Sequence, residues 1–315
     1  MPRVLLTVPL LPLLLLAACE ANPLEPAAAP FAAQRVDPVT AVMVSSAGRA
    51  FTFTTIEVPG AASTTAWGIN ARGDIAGGYV DAGGVSHGFV LHDGGFTTID
   101  VPGAIGSEAR GIGPNGEIAG TYKVAGEPAV NVHGYRRSPN GDLLPADYPN
   151  HTNTIPQRLL PDGTILGCRH DNDVMGSMHG IVMAREGNAE NAVPASMNNG
   201  ATPDLHRIVG LYTNMDVSPA RQEGYVLEDG VFTPFRVPGS TSTAAWDVNS
   251  GGDIVGVYRD GAGFHGYVLT RDGYRTIDVP GATATRVFGV NARGDIVGAY
   301  IAGGHTLGFV GRVER

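Results

Sequence analysis

The chain has 315 residues, 45 of them Gly and 22 Pro, with 16% charged side chains and a formal net charge of −9. This Gly and Pro density, with no amphipathic helical stretch after residue 40, argues against a helical domain, and 43% hydrophobic residues argue against disorder. The acidic balance argues against a nucleic-acid partner and against adsorption to anionic lipid through a basic face.

Residues 1–19 read as an export signal. Arg3 gives a short positive region and Val4 to Leu16 an apolar one, interrupted by Pro9 and Pro12 and too short to span a bilayer. The segment ends Leu16-Ala17-Ala18-Cys19, which resembles the lipobox of bacterial lipoproteins. That resemblance implies cleavage before Cys19, acylation of Cys19 and a membrane partner reached through the lipid. Glu20 stands where the inner-membrane retention signal usually has Asp, which favours the outer membrane. The alternative is a plain secretory signal with a chance Cys. Residues 20–40 are rich in Ala and Pro and read as an extended tether, leaving 41–315 as the folded domain.

From residue 51 the chain repeats. Phe53-Thr-Thr-Ile-Glu-Val-Pro-Gly60, Phe96-Thr-Thr-Ile-Asp-Val-Pro-Gly103 and Tyr274-Arg-Thr-Ile-Asp-Val-Pro-Gly281 share one block. A second block runs Gly68-Ile-Asn-Ala-Arg-Gly-Asp-Ile-Ala-Gly77 and Gly289-Val-Asn-Ala-Arg-Gly-Asp-Ile-Val-Gly298; a third runs His87-Gly-Phe-Val-Leu91 and His265-Gly-Tyr-Val-Leu269. One Pro marks each unit (Pro59, Pro102, Pro149, Pro194, Pro238, Pro280), at spacings of 43, 47, 45, 44 and 42. A period in the forties with four short strands per unit predicts a propeller blade. The last unit lacks an outer strand and the first has a spare one, Phe51 to Val58. The expected fold is therefore all-β: a six-bladed β-propeller of four-stranded blades, its ring closed by Phe51–Val58 so that no edge is left exposed.

The pattern Gly-Ile-Asn-x-x-Gly-x-Ile-Val-Gly followed by His-x-Phe resembles the "HAF" extracellular repeats of bacterial secreted proteins, with Gly88 at the middle position instead of Ala. The resemblance covers some 260 residues. It implies an extracellular repeat architecture and carries over no activity or site residue.

Several columns of the repeat bear chemistry. His87, His133, His179 and His265 recur once per unit, with Glu223 and Leu307 replacing them elsewhere. Such replacement argues against a metal ring, so the histidines read as buried groups satisfying backbone polar atoms. Trp67 and Trp246 share a column with Arg110, Gln157 and Phe288 and read as core packed between blades, with a sugar-stacking surface as the alternative. Asp74, Glu117, Asp253 and Asp295 follow turn glycines and read as exposed turn carboxylates; no single loop gathers the oxygens calcium requires. Cys168 reads as a small buried hydrophobe.

The divergent third and fourth units point to loops. Arg169-His170-Asp171-Asn172-Asp173 joins the second and third strands of blade three, where other blades have short Gly-rich turns; Thr213 to Gln222 is the counterpart in blade four. Arg169, His170, Asp171, Asp173, Arg259 and Asp260 are the candidate ligand-binding residues, expected on the face that carries the Val-Pro-Gly turns. No nucleophile elbow, phosphate loop or zinc-type Cys motif occurs, so no catalytic residue, metal or cofactor is assigned. The resulting expectation is a monomeric, envelope-anchored, non-catalytic binding or scaffold module for a protein or polysaccharide partner. A glycan-active lyase or hydrolase with a site at the channel mouth is the alternative, and it requires these side chains to converge.

Overall fold

The computed structural model describes residues 40–43, 50–171 and 177–314. The residues read as a signal, Cys19 and those read as tether up to residue 39 lie outside the described residues, as does Asp173.

The chain opens with β1 (Thr40–Met43) and β2 (Phe51–Ile56). Blade 1 is then β3 (Ser63–Ile69), β4 (Ile75–Val80), β5 (Ser86–His92) and β6 (Gly95–Ile99). Blade 2 is β7 (Ala104–Ile112), β8 (Ile118–Val124), β9 (His133–Arg137) and β10 (Leu143–Pro145). Blade 3 is β11 (Asn153–Leu159), β12 (Ile165–His170), β13 (His179–Ala184) and β14 (Gly187–Pro194). Blade 4 is β15 (Ser196–Ala201), β16 (Arg207–Asn214), β17 (Arg221–Glu228) and β18 (Val231–Phe235). Blade 5 is β19 (Ser242–Val248), β20 (Ile254–Arg259), β21 (Phe264–Thr270) and β22 (Gly273–Ile277). Blade 6 is β23 (Ala284–Val290), β24 (Ile296–Ala302) and β25 (His305–Val313), completed by β2.

Closure follows the sequence expectation. β2 pairs antiparallel with β25 from Phe51↔Val313 to Ile56↔Gly308, and Phe53 packs edge-on against Phe309 at 5.6 Å. The closing strand ends at Ile56, two residues short of the expected Val58. β1 adds a fifth strand outside β2, so pairing begins at Thr40, the last residue read as tether.

Apolar clusters fill the seams between blades. Ala76 and Ile99 of blade 1 meet Ala109 and Ile118 of blade 2, and Leu160 and Leu166 of blade 3 meet Ala201 and Ile208 of blade 4. Val209 of blade 4 meets Ile254 and Tyr267 of blade 5, while Val255 of blade 5 meets Val287 and Ile296 of blade 6. The second strand of a blade is buried on both sides, which is why it reads as an unbroken apolar run. Its glycine (Gly77, Gly120, Gly210, Gly256, Gly298) faces the buried aromatic of the third strand. A Cβ on Gly256 would lie 2.1 Å from the Ala244 carbonyl oxygen and 2.7 Å from the Tyr267 ring, so the position admits only Gly.

Each of the four Val-Pro-Gly turns is pinned by a hydroxyl six residues on. Thr64 accepts from Val58 N at 3.1 Å, Ser107 from Val101 N at 3.0 Å, Thr243 from Val237 N at 3.1 Å and Thr285 from Val279 N at 3.0 Å. The turn between the first two strands is organised by Asn. Asn70 Oδ1 accepts the amides of Arg72, Gly73 and Asp74, and Asn70 Nδ2 donates to Asp74 and across the seam to Gly113 O. Here Asp74 and Asp295, expected to be exposed, are buried at 6% each. Burial works to raise the Asp74 pKa, but hydrogen bonds from His92, Asn70 and Arg72 hold it below the usual carboxylate value.

Candidate functional site

The innermost strand of every blade carries a β-bulge at the same place. The register jumps over Trp67, Arg110, Gln157, Asn199, Trp246 and Phe288 in the six blades in turn. A bulge leaves one residue unpaired and redirects it; here it turns these side chains towards the propeller axis. Trp67 lies 4.4 Å from Phe288 and 5.8 Å from Trp246, the Arg110 guanidinium sits 4.4 Å above Trp67, and Arg110 donates to Gln157 Oε1 at 3.1 Å. The two tryptophans therefore meet on the axis instead of packing in separate blade seams, as their spacing in the sequence had suggested.

The residue after each bulge is Gly in four blades and Arg158 and Asp247 in the other two. The glycines leave the room. Added carbons at Gly68 and Gly200 would meet Arg158 Nη1 at 3.0 Å and Asp247 Oδ1 at 2.5 Å. Arg158 Nη2 reaches Asp247 Oδ2 at 3.2 Å and donates to Phe288 O at 2.8 Å, and Asp247 also accepts the amides of Val290 and Val248. Burial pushes the Asp247 pKa up to about 6, with Arg158 and the two amides opposing the rise.

On the blade 3–4 side the axis is sealed by Val132, Ile155, Cys168, Met178, Met197, Leu211 and Ala244, all buried. Cys168 is fully buried within this cluster, as a small apolar filler should be. The blade 5–6 side differs. Trp246 and Phe264 pack on Trp67, Val257, Phe288 and Ala299 but stay only half-buried, and Arg286 and Arg259 stand 4.5 Å and 5.4 Å from the Phe264 ring.

The recurring histidines sit at the starts of the third strands, and their partners differ from the expected backbone groups. His87 Nδ1 is 2.8 Å from Asp100 and its Nε2 is 3.4 Å from Asp81, with the ring stacked on Tyr79. His133 lies between Asp147 at 3.2 Å and Glu127 at 2.9 Å against Tyr122, and His265 between Asp278 at 3.0 Å and Asp260 at 3.4 Å on Tyr258. Only His179 meets a backbone carbonyl, that of Asn191. Each clamp ties the loop between second and third strands to the end of the outer strand. The two carboxylates approach opposite nitrogens of the ring, and no group able to hold a metal ion forms among the described residues.

The candidates from the divergent loops fall into two groups. In blade 3, Arg169 takes the clamp tyrosine's place and binds Glu190 through two nitrogens, at 3.1 and 2.6 Å, and the Ser177 carbonyl. His170 lies on the opposite face of β12, bonded to its neighbour's carbonyl, with its pKa lowered by burial. Asp171 accepts from Thr152 N at 3.0 Å and faces His151 at 3.1 Å; those contacts hold its pKa low. In blade 5, Asp260 is the turn acceptor for Ala262 N and the partner of His265, while the exposed Arg259 leans on Phe264. Each group is engaged on its own blade. Thr152, which precedes β11, bonds to Asp171 in the β12–β13 loop, so these loops do share the face of the Val-Pro-Gly turns. Arg286, Phe264 and Trp246 were not singled out together from the sequence, because only the fold brings them beside Arg259. A groove of about 500 Å³ opens between blades 5 and 6 on the opposite face, lined by Phe51, Asp253, Tyr274 and Arg275 among others, and it contains none of the candidates.

No protein-family model matches the chain, and no curated protein matches it in sequence. Solved structures resemble it in fold. A TolB from Agrobacterium tumefaciens superposes with a TM-score of 0.52 at 14% identity, over 80% of this chain and 90% of that one. The Aleuria aurantia lectin, solved with Fucα1-6GlcNAc, gives 0.50 at 12% identity over 81% and 95%. A streptogramin B lyase gives 0.46 at 12% over 84% and 98%. At such identities the likeness is one of architecture, and the chain is a six-bladed, strand-closed β-propeller.

Proposed function

We propose that this protein is a non-catalytic polysaccharide-binding module, held at the bacterial envelope by a lipid on Cys19. The observation that carries the reading is the half-buried Trp246 and Phe264 beside Arg259 and Arg286, on the loop-bearing face where the axis is otherwise sealed. Half-buried aromatic side chains on a rigid closed ring suit a partner that binds without deforming the protein. The acid and base side chains an enzyme would need are committed within their blades: Arg169 to Glu190, Asp171 to His151, Asp260 to His265.

The test is retention of the detergent-solubilised chain on a polysaccharide panel, with product release followed in parallel. Retention without depolymerisation is expected. Release of unsaturated or reducing ends would establish the lyase or hydrolase reading, and capture of a protein with no polysaccharide retained would establish a protein partner. Anchoring is tested by labelling with an alkyne fatty acid, which Cys19→Ala should abolish together with membrane fractionation.

A further inference from the structure

Many arginines of this acidic molecule are matched to carboxylates, among them Arg72 to Asp74, Arg110 to Glu108, Arg136 to Glu117, Arg207 to Glu228 and Arg293 to Asp295. Arg286 is not; among the described residues its contact is the face of Phe264 at 4.5 Å. Arg259, 5.4 Å from the same ring, likewise has no carboxylate in ion-pair range among the described residues. Burial depresses the Arg286 pKa, with no opposing carboxylate effect. A part-exposed guanidinium stacked on an aromatic ring and without a counter-charge leaves its donors open to water or to an incoming anion.

Blade architecture does not call for Arg at this place. The residues in the same register on the other inner strands are Thr65, Glu108, Ile155, Met197 and Ala244. Phe264, just before the clamp histidine, likewise stands where blades 1 and 2 have Ser86 and Val132. Two departures from the repeat thus meet on one seam, two residues along β23 from the axial Phe288 and against Trp246. Guanidinium groups pair with carboxylates in a planar, two-pronged fashion, and half-exposed aromatic faces accept the apolar face of a pyranose.

We infer that the axis mouth between blades 5 and 6 binds an acidic saccharide, with Arg286 and Arg259, held on Phe264, taking its carboxylate and Trp246 its ring face. This rests on the polysaccharide-binding reading and names its ligand class. Both tryptophans of the chain stand on the axis, 5.8 Å apart, so their fluorescence reports the site directly. The probes are trigalacturonate, neutral galactotriose and sodium phosphate, titrated into the full chain and into Arg259→Ala, Arg286→Ala and Arg286→Lys.

Trigalacturonate should change the emission saturably and the other two probes should not. Loss of a charge-assisted contact weakens binding by roughly tenfold or more, so both alanine variants should lose at least that, with Arg286→Lys between. Arg259 is exposed, so its variant keeps the fold and remains informative even where Arg286→Ala fails to fold. Equal binding of galactotriose, unchanged in the variants, would overturn the acidic assignment and leave the polysaccharide-binding reading standing. An equal response to phosphate would reduce the site to a simple anion site and overturn the saccharide. A trigalacturonate response unchanged in Arg259→Ala, or no response to any probe, would overturn the inference as well.

Discussion

Arg158 and Asp247 form a buried ion pair at 3.2 Å that joins blade 3 to blade 5 across the propeller axis. Removing one partner strands the other charge, which costs about 3–5 kcal/mol. Arg158→Met should therefore lower the unfolding free energy measured by denaturant titration by that order. The double variant Arg158→Met/Asp247→Gly, which restores the glycine of the other blades, should recover much of the loss. A double variant as unstable as the single one would mean that Arg158 acts through its bonds to the Phe288 and Trp246 carbonyls instead.

Two sets of groups should shape stability against pH, both in the same sense. Asp247 has a folded pKa near 6, above its unfolded value, so the native state binds more protons between about pH 4 and 6 and stability falls as pH rises through that window. His87 is raised chiefly by its bond to Asp100. His133 is raised because Glu127 and Asp147 outweigh the desolvation that would lower it. Their contribution is complete below about pH 6.5 and is lost as pH climbs through the higher folded values. Melting temperature followed from pH 4 to 9 should decline on the alkaline side, and His87→Gln/His133→Gln should flatten the decline above pH 6.5 without changing the segment below 6.

Gly256→Ala should destabilise by roughly 1–3 kcal/mol or more, because the new carbon meets both the Ala244 carbonyl and the Tyr267 ring. Shortening the ring, as in Gly256→Ala/Tyr267→Leu, should not restore stability, since the carbonyl remains. Full recovery in urea denaturation would show that the aromatic alone demands the glycine.

Phe53 and Phe96 hold the same place in the outer strands of blades 6 and 1, at 3% and 8% exposure. Truncating a buried Phe costs about 3–5 kcal/mol. Phe53→Ala should exceed Phe96→Ala in thermal shift and in aggregation, because Phe53 belongs to the strand that closes the ring. Equal effects in scanning calorimetry and light scattering would mean that closure adds nothing beyond local packing.

The blade count and the closing strand were readable in the sequence because both follow from arithmetic on a repeat: one Pro per unit, one unit short of an outer strand. The column of Trp67, Arg110, Gln157, Trp246 and Phe288 was readable too, but its direction was not. A bulge is set by backbone register, and six dissimilar side chains give no hint of it; Asn199 escaped notice for the same reason. A trace was present in the glycine that follows each bulge in four blades, broken by Arg158 and Asp247. The histidine clamps were half-readable. Asp100 and Asp278 both fall thirteen residues after their histidines, a spacing that the Thr-Ile-Asp-Val block already contained. The seam of Arg286, Arg259, Phe264 and Trp246 joins residues from two blades, and no spacing along the chain brings Arg286 to Phe264.

The pairing that shuts the ring also fixes how it would respond to force. Phe51 of β2 lies opposite Val313 of β25, and Glu314 N donates to Ala50 O at 3.0 Å, so the two ends of the propeller emerge side by side from one rim. A pull separating them loads the Phe51–Val313 end first and opens the ladder one bond at a time, like a zipper. Tension applied at Ala50 along the strand, once β1 has been stripped from β2, runs instead down β2 and stretches many of its bonds together. The same strand is thus a weak latch in one direction and a firm strap in the other.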